Sequence, residues 1–123
     1  MKTILIYVTT FLALICLNPD TNNDLSGKWT IDLRPTPDAD GYYQTFEITD
    51  VDDKTFKGTF YGSSIENAQL NRNWEKLFFA FTTKDSTNTY YHSGYMLNGK
   101  IYGISYCPNR ELTAPWTGIK KKD

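Results

Sequence analysis

The sequence contains few of the residues on which metal centres and disulfide frameworks depend. Its 123 residues include one histidine, His92, and two cysteines, Cys16 and Cys107. A single histidine excludes a metal site built on a histidine pair, and two cysteines allow one disulfide at most. The net charge of −1 gives no excess of basic residues, which disfavours a nucleic-acid-binding surface. We therefore predict no metal, no cofactor and no nucleic-acid partner.

Long hydrophobic runs are also scarce, because the chain has only one, at its N-terminus. Lys2 precedes an apolar run over residues 4–17, and the polar residues 18–20 follow it. The run is shorter than the ~20 residues of a membrane span, and its flanks are those of a signal peptide. We predict that residues 1–23 are a signal peptide and polar lead-in and that residues 24–123 form one domain. The protein is then exported, to the periplasm or the exterior.

Cys16 gives the N-terminal segment a second interpretation. The apolar residues 12–15 before Cys16 have roughly the frame of a bacterial lipoprotein signal, although Ile15 is larger than the residue usual at that position. Lipid anchoring through Cys16 therefore stays an alternative to simple secretion. In both cases Cys107 is the one cysteine of the mature domain, so no internal disulfide forms. We expect Cys107 to be a small buried hydrophobe.

The mature part alternates short β-prone runs with turn residues, which is typical of an all-β barrel or sandwich. Asn98-Gly99 between two such runs is the strongest hairpin signal in the chain. Eight antiparallel strands joined by short turns can close and remove their exposed edges. We predict an eight-stranded up-and-down barrel, with a two-sheet sandwich as the alternative. The predicted strands are 28–33, 42–49, 55–61, 65–70, 75–83, 89–97, 100–107 and 112–120.

The opening of the first predicted strand, Gly27-x-Trp29, resembles the start of lipocalins, fatty-acid-binding proteins and avidins, the calycin group. The interior glycines Gly58, Gly94 and Gly103 are similar to those of short calycin barrels. The resemblance implies that Trp29 closes one end of the barrel and that a basic side chain of the last strand packs on it. Lys120 is the matching candidate. The chain lacks the tryptophan-rich ligand motifs of avidins, so no ligand residue is carried over.

Residues with catalytic or ligating side chains do not form a recognised motif. His92 shares a strand face with Met96 and is interpreted as a structural histidine, with haem ligation as the alternative. The aspartates of residues 38–40 and 50–53 lack the later carboxylate of a calcium loop and are interpreted as turn residues. No spacing selects two glutamates for glycoside chemistry. We predict that the protein is not an enzyme.

Aromatic residues are the most informative feature, since they make up 15% of the chain. Tyrosine is enriched where proteins bind partners, although cross-strand tyrosine pairs also stabilise an exposed sheet. The first hypothesis is a lipocalin-like carrier of a small apolar or aromatic molecule. The second is a protein-interaction module, such as an inhibitor or immunity-type protein, that uses a tyrosine-rich face. The candidate ligand-binding residues are Trp29, Phe46, Phe60, Tyr91, Tyr95, Tyr102 and Tyr106.

Overall fold

Nine antiparallel β-strands make up most of the computed structural model, which describes residues 25–122. The predicted signal peptide and the predicted lipid-anchoring residue, Cys16, lie outside the described residues. A short 3-10 helix, Pro108–Arg110, is inserted before the last strand. The strands are β1 Gly27–Asp32, β2 Tyr43–Thr49, β3 Lys57–Phe60, β4 Ser63–Ser64, β5 Glu66–Asn71, β6 Leu77–Lys84, β7 Thr89–Leu97, β8 Lys100–Cys107 and β9 Leu112–Lys120.

The strands form one sheet in the order β4-β3-β2-β1-β9-β8-β7-β6-β5. Neighbours in the sequence are neighbours in the sheet, except that β4 and β5 lie at opposite ends of this order and that β1 also pairs with β9. This is an up-and-down arrangement that curls into a nearly closed barrel. The predicted all-β antiparallel barrel is confirmed, and the sandwich alternative is not adopted.

The strand count is nine where eight were predicted, because Ser63–Ser64 form a short strand, β4, between the third and fourth predicted strands. β4 pairs with β3, whereas β5, which corresponds to the predicted strand 65–70, pairs with β6. Asn67 has a positive φ of 56°, and the β5–β6 register shifts between Glu66 and Gln69. Such a bulge bends a strand and increases its local twist. One run of chain thus leaves one edge of the sheet and joins the other.

The two edges of the sheet, near β3–β4 and at β5, meet at a seam where the barrel closes, and hydrogen bonds hold this region together. The Ile65 amide donates to the Gly58 carbonyl at 3.0 Å, and the Leu70 amide donates to the Lys54 carbonyl at 2.8 Å. The Arg72 guanidinium donates to the Asp52 carbonyl at 2.9 Å. These contacts satisfy backbone groups that a sheet edge would otherwise leave exposed.

Trp29 and Lys120, the two residues that the resemblance singled out, are in contact. Trp29 is 1% exposed, and its indole N–H donates to the Leu25 carbonyl at 2.8 Å. Lys120, the register partner of Trp29 on β9, places its ammonium group 5.4 Å from the centre of the indole ring. The predicted packing of a basic side chain on Trp29 is therefore confirmed. A lysine over an indole face also gains cation–π attraction.

Candidate functional site

The seven predicted ligand-binding residues fall into two groups on opposite sides of the sheet. Trp29, Phe46 and Phe60 point into the barrel and are buried. The other four candidates, Tyr91 and Tyr95 on β7 and Tyr102 and Tyr106 on β8, point outward. Alternation along each strand predicts two faces, but the pattern alone does not say which face is inside. The structure therefore brings together the four tyrosines as one set and the three buried aromatics as another.

The barrel interior is filled by aromatic side chains around Phe46. The Phe46 ring lies 5.1 Å from the rings of Phe60 and Phe81, measured between centroids, and 6.0 Å from that of Trp116. Gly103 leaves room for the Trp116 indole, since a Cβ there would overlap that ring. Side chains of this size fill the lumen of a small barrel. Phe46 and Phe60 thus act as core residues.

A chain of buried hydrogen bonds runs through this aromatic interior. The Trp116 indole N–H donates to the Ser105 hydroxyl at 2.9 Å, and that hydroxyl lies 2.6 Å from His92 Nδ1. His92 Nε2 lies 2.9 Å from the Thr83 hydroxyl. Ser105 can donate its own proton to Nδ1, and Nε2–H can then donate to Thr83. The neutral imidazole thus satisfies both ring nitrogens, as expected of a structural histidine.

The ring of His92 is held between aromatic neighbours, away from water. Its centre lies 4.5 Å from that of Phe60 and 4.6 Å from that of Phe81. Burial lowers the pKa of His92 from 6.5 to about 4, because a low-dielectric site disfavours the charged form. His92 and Ser105 are both buried, and both belong to the hydrogen-bonded interior of the barrel.

The outer side of β6, β7 and β8 carries two rows of aromatic side chains. The hairpin turn at Asn98 and Gly99 sets Tyr95 opposite Tyr102 and Tyr91 opposite Tyr106. Tyr91 and Tyr106 are about half exposed, at 48% and 49%. We call this surface the tyrosine face. It consists of Phe78, Tyr91, Ser93, Tyr95, Tyr102, Ile104 and Tyr106.

Small side chains open a groove across the tyrosine face. The register places Ala80, Ser93, Ile104 and Pro115 in one row across β6 to β9. Rows that contain tyrosines lie on both sides of it. The groove has a volume of about 490 Å³ and is bordered by Phe78, Tyr95, Tyr102, Ser93 and Ile104 together with the backbone around Gly94 and Gly103. This is within the range of ligand sites, ~300–1,000 Å³.

Two lysines extend over the tyrosine rings at one end of this groove. Lys76 places its ammonium group 5.6 Å from the centre of the Tyr95 ring, and Lys100 places its own 5.5 Å from that of Tyr102. The two tyrosine rings are stacked, with centroids 5.3 Å apart and planes inclined by 19°. Cation–π attraction favours this arrangement of the two charges over the ring pair.

Sequence reasoning missed Phe78, Ser93, Ile104 and the two lysines as parts of this surface. The hairpin at Asn98-Gly99 was the available signal, because a two-residue turn fixes the register of both flanking strands. That register pairs Ser93 with Ile104. The place of Phe78 needed the β6–β7 register as well.

A second groove of about 530 Å³ lies at the seam of the barrel, bordered by residues of the β2–β3 loop and β5. There the Asp52 carboxylate accepts the amides of Lys54 and Thr55 at 2.9 Å and 2.8 Å. These bonds lower the pKa of Asp52. Asp52 therefore acts as a turn residue, as the sequence predicted.

Comparisons with known proteins return no relative from which a role could be transferred. No family model, curated protein or solved structure matches the chain. Within residues 25–122, no helix is long and apolar enough to cross a membrane. The same residues contain no cluster of three or more histidine, cysteine, aspartate or glutamate side chains arranged to hold a metal ion.

Proposed function

We propose that this protein is an exported, calycin-like β-barrel that binds a protein partner through its tyrosine face. One observation carries the proposal: the large aromatics inside the barrel pack against one another, while four tyrosines of β7 and β8 face outward and two of them, Tyr95 and Tyr102, border a groove. A carrier of the lipocalin kind needs room in the lumen, whereas an interaction module needs an exposed surface. The packed interior of this barrel therefore favours an interaction module over a carrier.

The composition of the tyrosine face suits protein recognition. Tyrosine offers a large contact area and loses little rotamer freedom on binding. Tyr95 and Tyr102 are already stacked on each other. Their side chains therefore lose little conformational entropy when a partner binds. Ile104 is 42% exposed beside them, which adds an apolar contact in the middle of the face.

Binding of a small aromatic molecule is the second candidate, and the volume of the groove favours it. A cleft of about 490 Å³ can accept a compact ring system between Phe78 and Tyr102. The occupant would then lie on the outside of the barrel and not in its lumen. A fluorescent naphthalene sulfonate that binds to the wild type, but not to a Tyr102→Ala variant, would support this candidate.

Site-specific photo-crosslinking in the native host tests the main proposal. The photoreactive amino acid p-benzoylphenylalanine replaces Ser93 in the groove and, as a matched control, Thr45, an exposed residue on β2. We expect a covalent adduct with another polypeptide from position 93 and none from position 45. Equal adducts from both positions, or none from position 93, would count against binding at the tyrosine face.

A further inference from the structure

The strands that carry the tyrosine face have no acidic residue. The four strands β6 to β9 contain no aspartate or glutamate, and their charged residues are Lys84, Lys100 and Lys120. The chain as a whole has 14 acidic and 13 basic residues, so this distribution is not a consequence of composition. Acidic side chains are confined to the other strands and the loops.

The ammonium groups of Lys76 and Lys100 lie over the rings of Tyr95 and Tyr102, two residues that border the groove. Lys76 also contacts Glu75 at 3.8 Å, but that glutamate is 88% exposed, and an exposed pair of this kind contributes little. The groove thus joins apolar walls to a positively charged end. Charge of one sign beside a low-dielectric wall attracts the opposite charge more strongly than it would in open water.

We propose that the groove of the tyrosine face binds an extended, acidic polypeptide segment that carries apolar side chains, an inference that rests on the proposed function and specifies the partner. An extended chain alternates its side chains at a period of two. Apolar residues of the segment contact Phe78, Tyr102 and Ile104, and its carboxylates lie near Lys76 and Lys100.

The apolar lining favours a polypeptide over a saccharide. Among the described residues that line the groove, only Ser93, Tyr95 and Tyr102 have side chains that can form hydrogen bonds, and the two lysines lie beyond this lining. A sugar would leave several of its hydroxyl groups without partners there, at a cost for each one. Leucine or phenylalanine side chains need no such partner and gain from burial.

Peptide binding measured by fluorescence polarisation tests this inference. The probes are three fluorescein-labelled twelve-residue peptides, each with a half of leucine and phenylalanine residues followed by a half of glutamate, glutamine or lysine residues. We expect the glutamate peptide to bind at least ten times more tightly than the other two. Its affinity should fall as salt is raised from 50 to 500 mM, because exposed charges are screened.

Matched lysine variants locate the charge effect. The double variant Lys76→Gln with Lys100→Gln should weaken the glutamate peptide about tenfold. The control, Lys54→Gln with Lys57→Gln, removes two exposed lysines beyond the tyrosine face and should leave the affinity unchanged. Equal binding of the three peptides, or equal affinity in both double variants, would overturn the inference.

Two further results separate this inference from the proposed function. In the first, the wild type binds phosphatidylglycerol vesicles, the Lys76→Gln, Lys100→Gln variant does not, and the glutamate peptide binds to neither. This result would overturn the inference of an acidic polypeptide partner in favour of an anionic lipid surface. An adduct at position 93 with a partner whose crosslinked segment has no acidic residue would overturn the acidic specificity and leave the proposed function standing.

Discussion

The buried imidazole of His92 should make the stability of this protein depend on pH above the range in which carboxylates titrate. Its pKa is about 4 in the folded protein and 6.5 as the reference for the unfolded chain. The unfolded state therefore binds the proton more tightly, and stability must fall as the pH falls from 6.5 towards 4. The stabilising contribution is fully present above pH 6.5.

The size of the effect follows from the two pKa values. Integrating proton uptake from pH 7.5 to pH 5.0 gives a loss of about 2 kcal/mol in the free energy of unfolding. The full difference of the two values corresponds to about 3 kcal/mol, reached below pH 4. Small domains have total stabilities of about 5–15 kcal/mol, so the change is readily measured.

Three aspartates with lowered pKa values titrate below the pH range in which His92 changes the stability. Asp32, Asp52 and Asp85 have pKa values lowered below 3.8 by hydrogen bonds. They are ionised in both the folded and the unfolded state above pH 5, and their contribution is lost only as the pH falls through their lowered pKa values. His92 is the only histidine in the sequence, so a His92 variant removes the whole imidazole contribution to the slope between pH 5.0 and 7.5.

Urea unfolding followed by tryptophan fluorescence measures this slope at constant ionic strength. The matched variant is His92→Gln, which keeps hydrogen-bonding groups but does not titrate. We expect it to be less stable than the wild type at pH 7.5 and to show the same stability at pH 5.0 as at pH 7.5. A wild-type change below about 0.5 kcal/mol, or an unchanged slope in His92→Gln, would refute the assignment.

Four further predictions concern the core, the face and the N-terminus. Trp29→Ala should cost ~3–5 kcal/mol in urea titration, and a loss below ~1 kcal/mol would show that the ring does not close the barrel. Gly103→Ala should cost ~1–3 kcal/mol by overpacking against the indole behind it, and unaltered stability would contradict the tight contact. Tyr91→Ala with Tyr106→Ala should weaken the partner at least tenfold in titration calorimetry with little change in Tm, and unchanged affinity would move the site elsewhere. Intact-mass measurement on protein from the native host should show a mature start between Cys16 and residue 24, a lipid mass on Cys16 would establish the anchor, and an unprocessed chain would refute export.

The barrel could be predicted from the sequence because its strands follow the alternation that a one-sided core requires. Trp29, Ile31, Phe46 and Ile48 occupy every second position, and all four are buried. The short strand β4, Ser63–Ser64, could not be predicted in the same way. It pairs with β3 at one edge of the sheet, while β5 pairs with β6 at the other edge, and this division is a property of the whole barrel.

The tyrosine face could be predicted from the sequence more fully than the buried hydrogen-bond network. The hairpin turn already implies that Tyr95 lies opposite Tyr102. The buried network is different, since Thr83, His92, Ser105 and Trp116 come from four strands. Polar residues in strands usually indicate a solvated side, and only their convergence reverses that interpretation.

The position of β9 between β1 and β8 has a consequence for how the nascent chain folds. β6, β7 and β8 are joined by short turns and can pair as soon as they emerge. β1 finds its second neighbour only when residues 112–120 have been synthesised, and such distant pairings slow folding. Until then β1 and β8 each present an unpaired edge, the kind of surface on which aggregation begins. A chain shortened before Leu112 would keep both edges permanently.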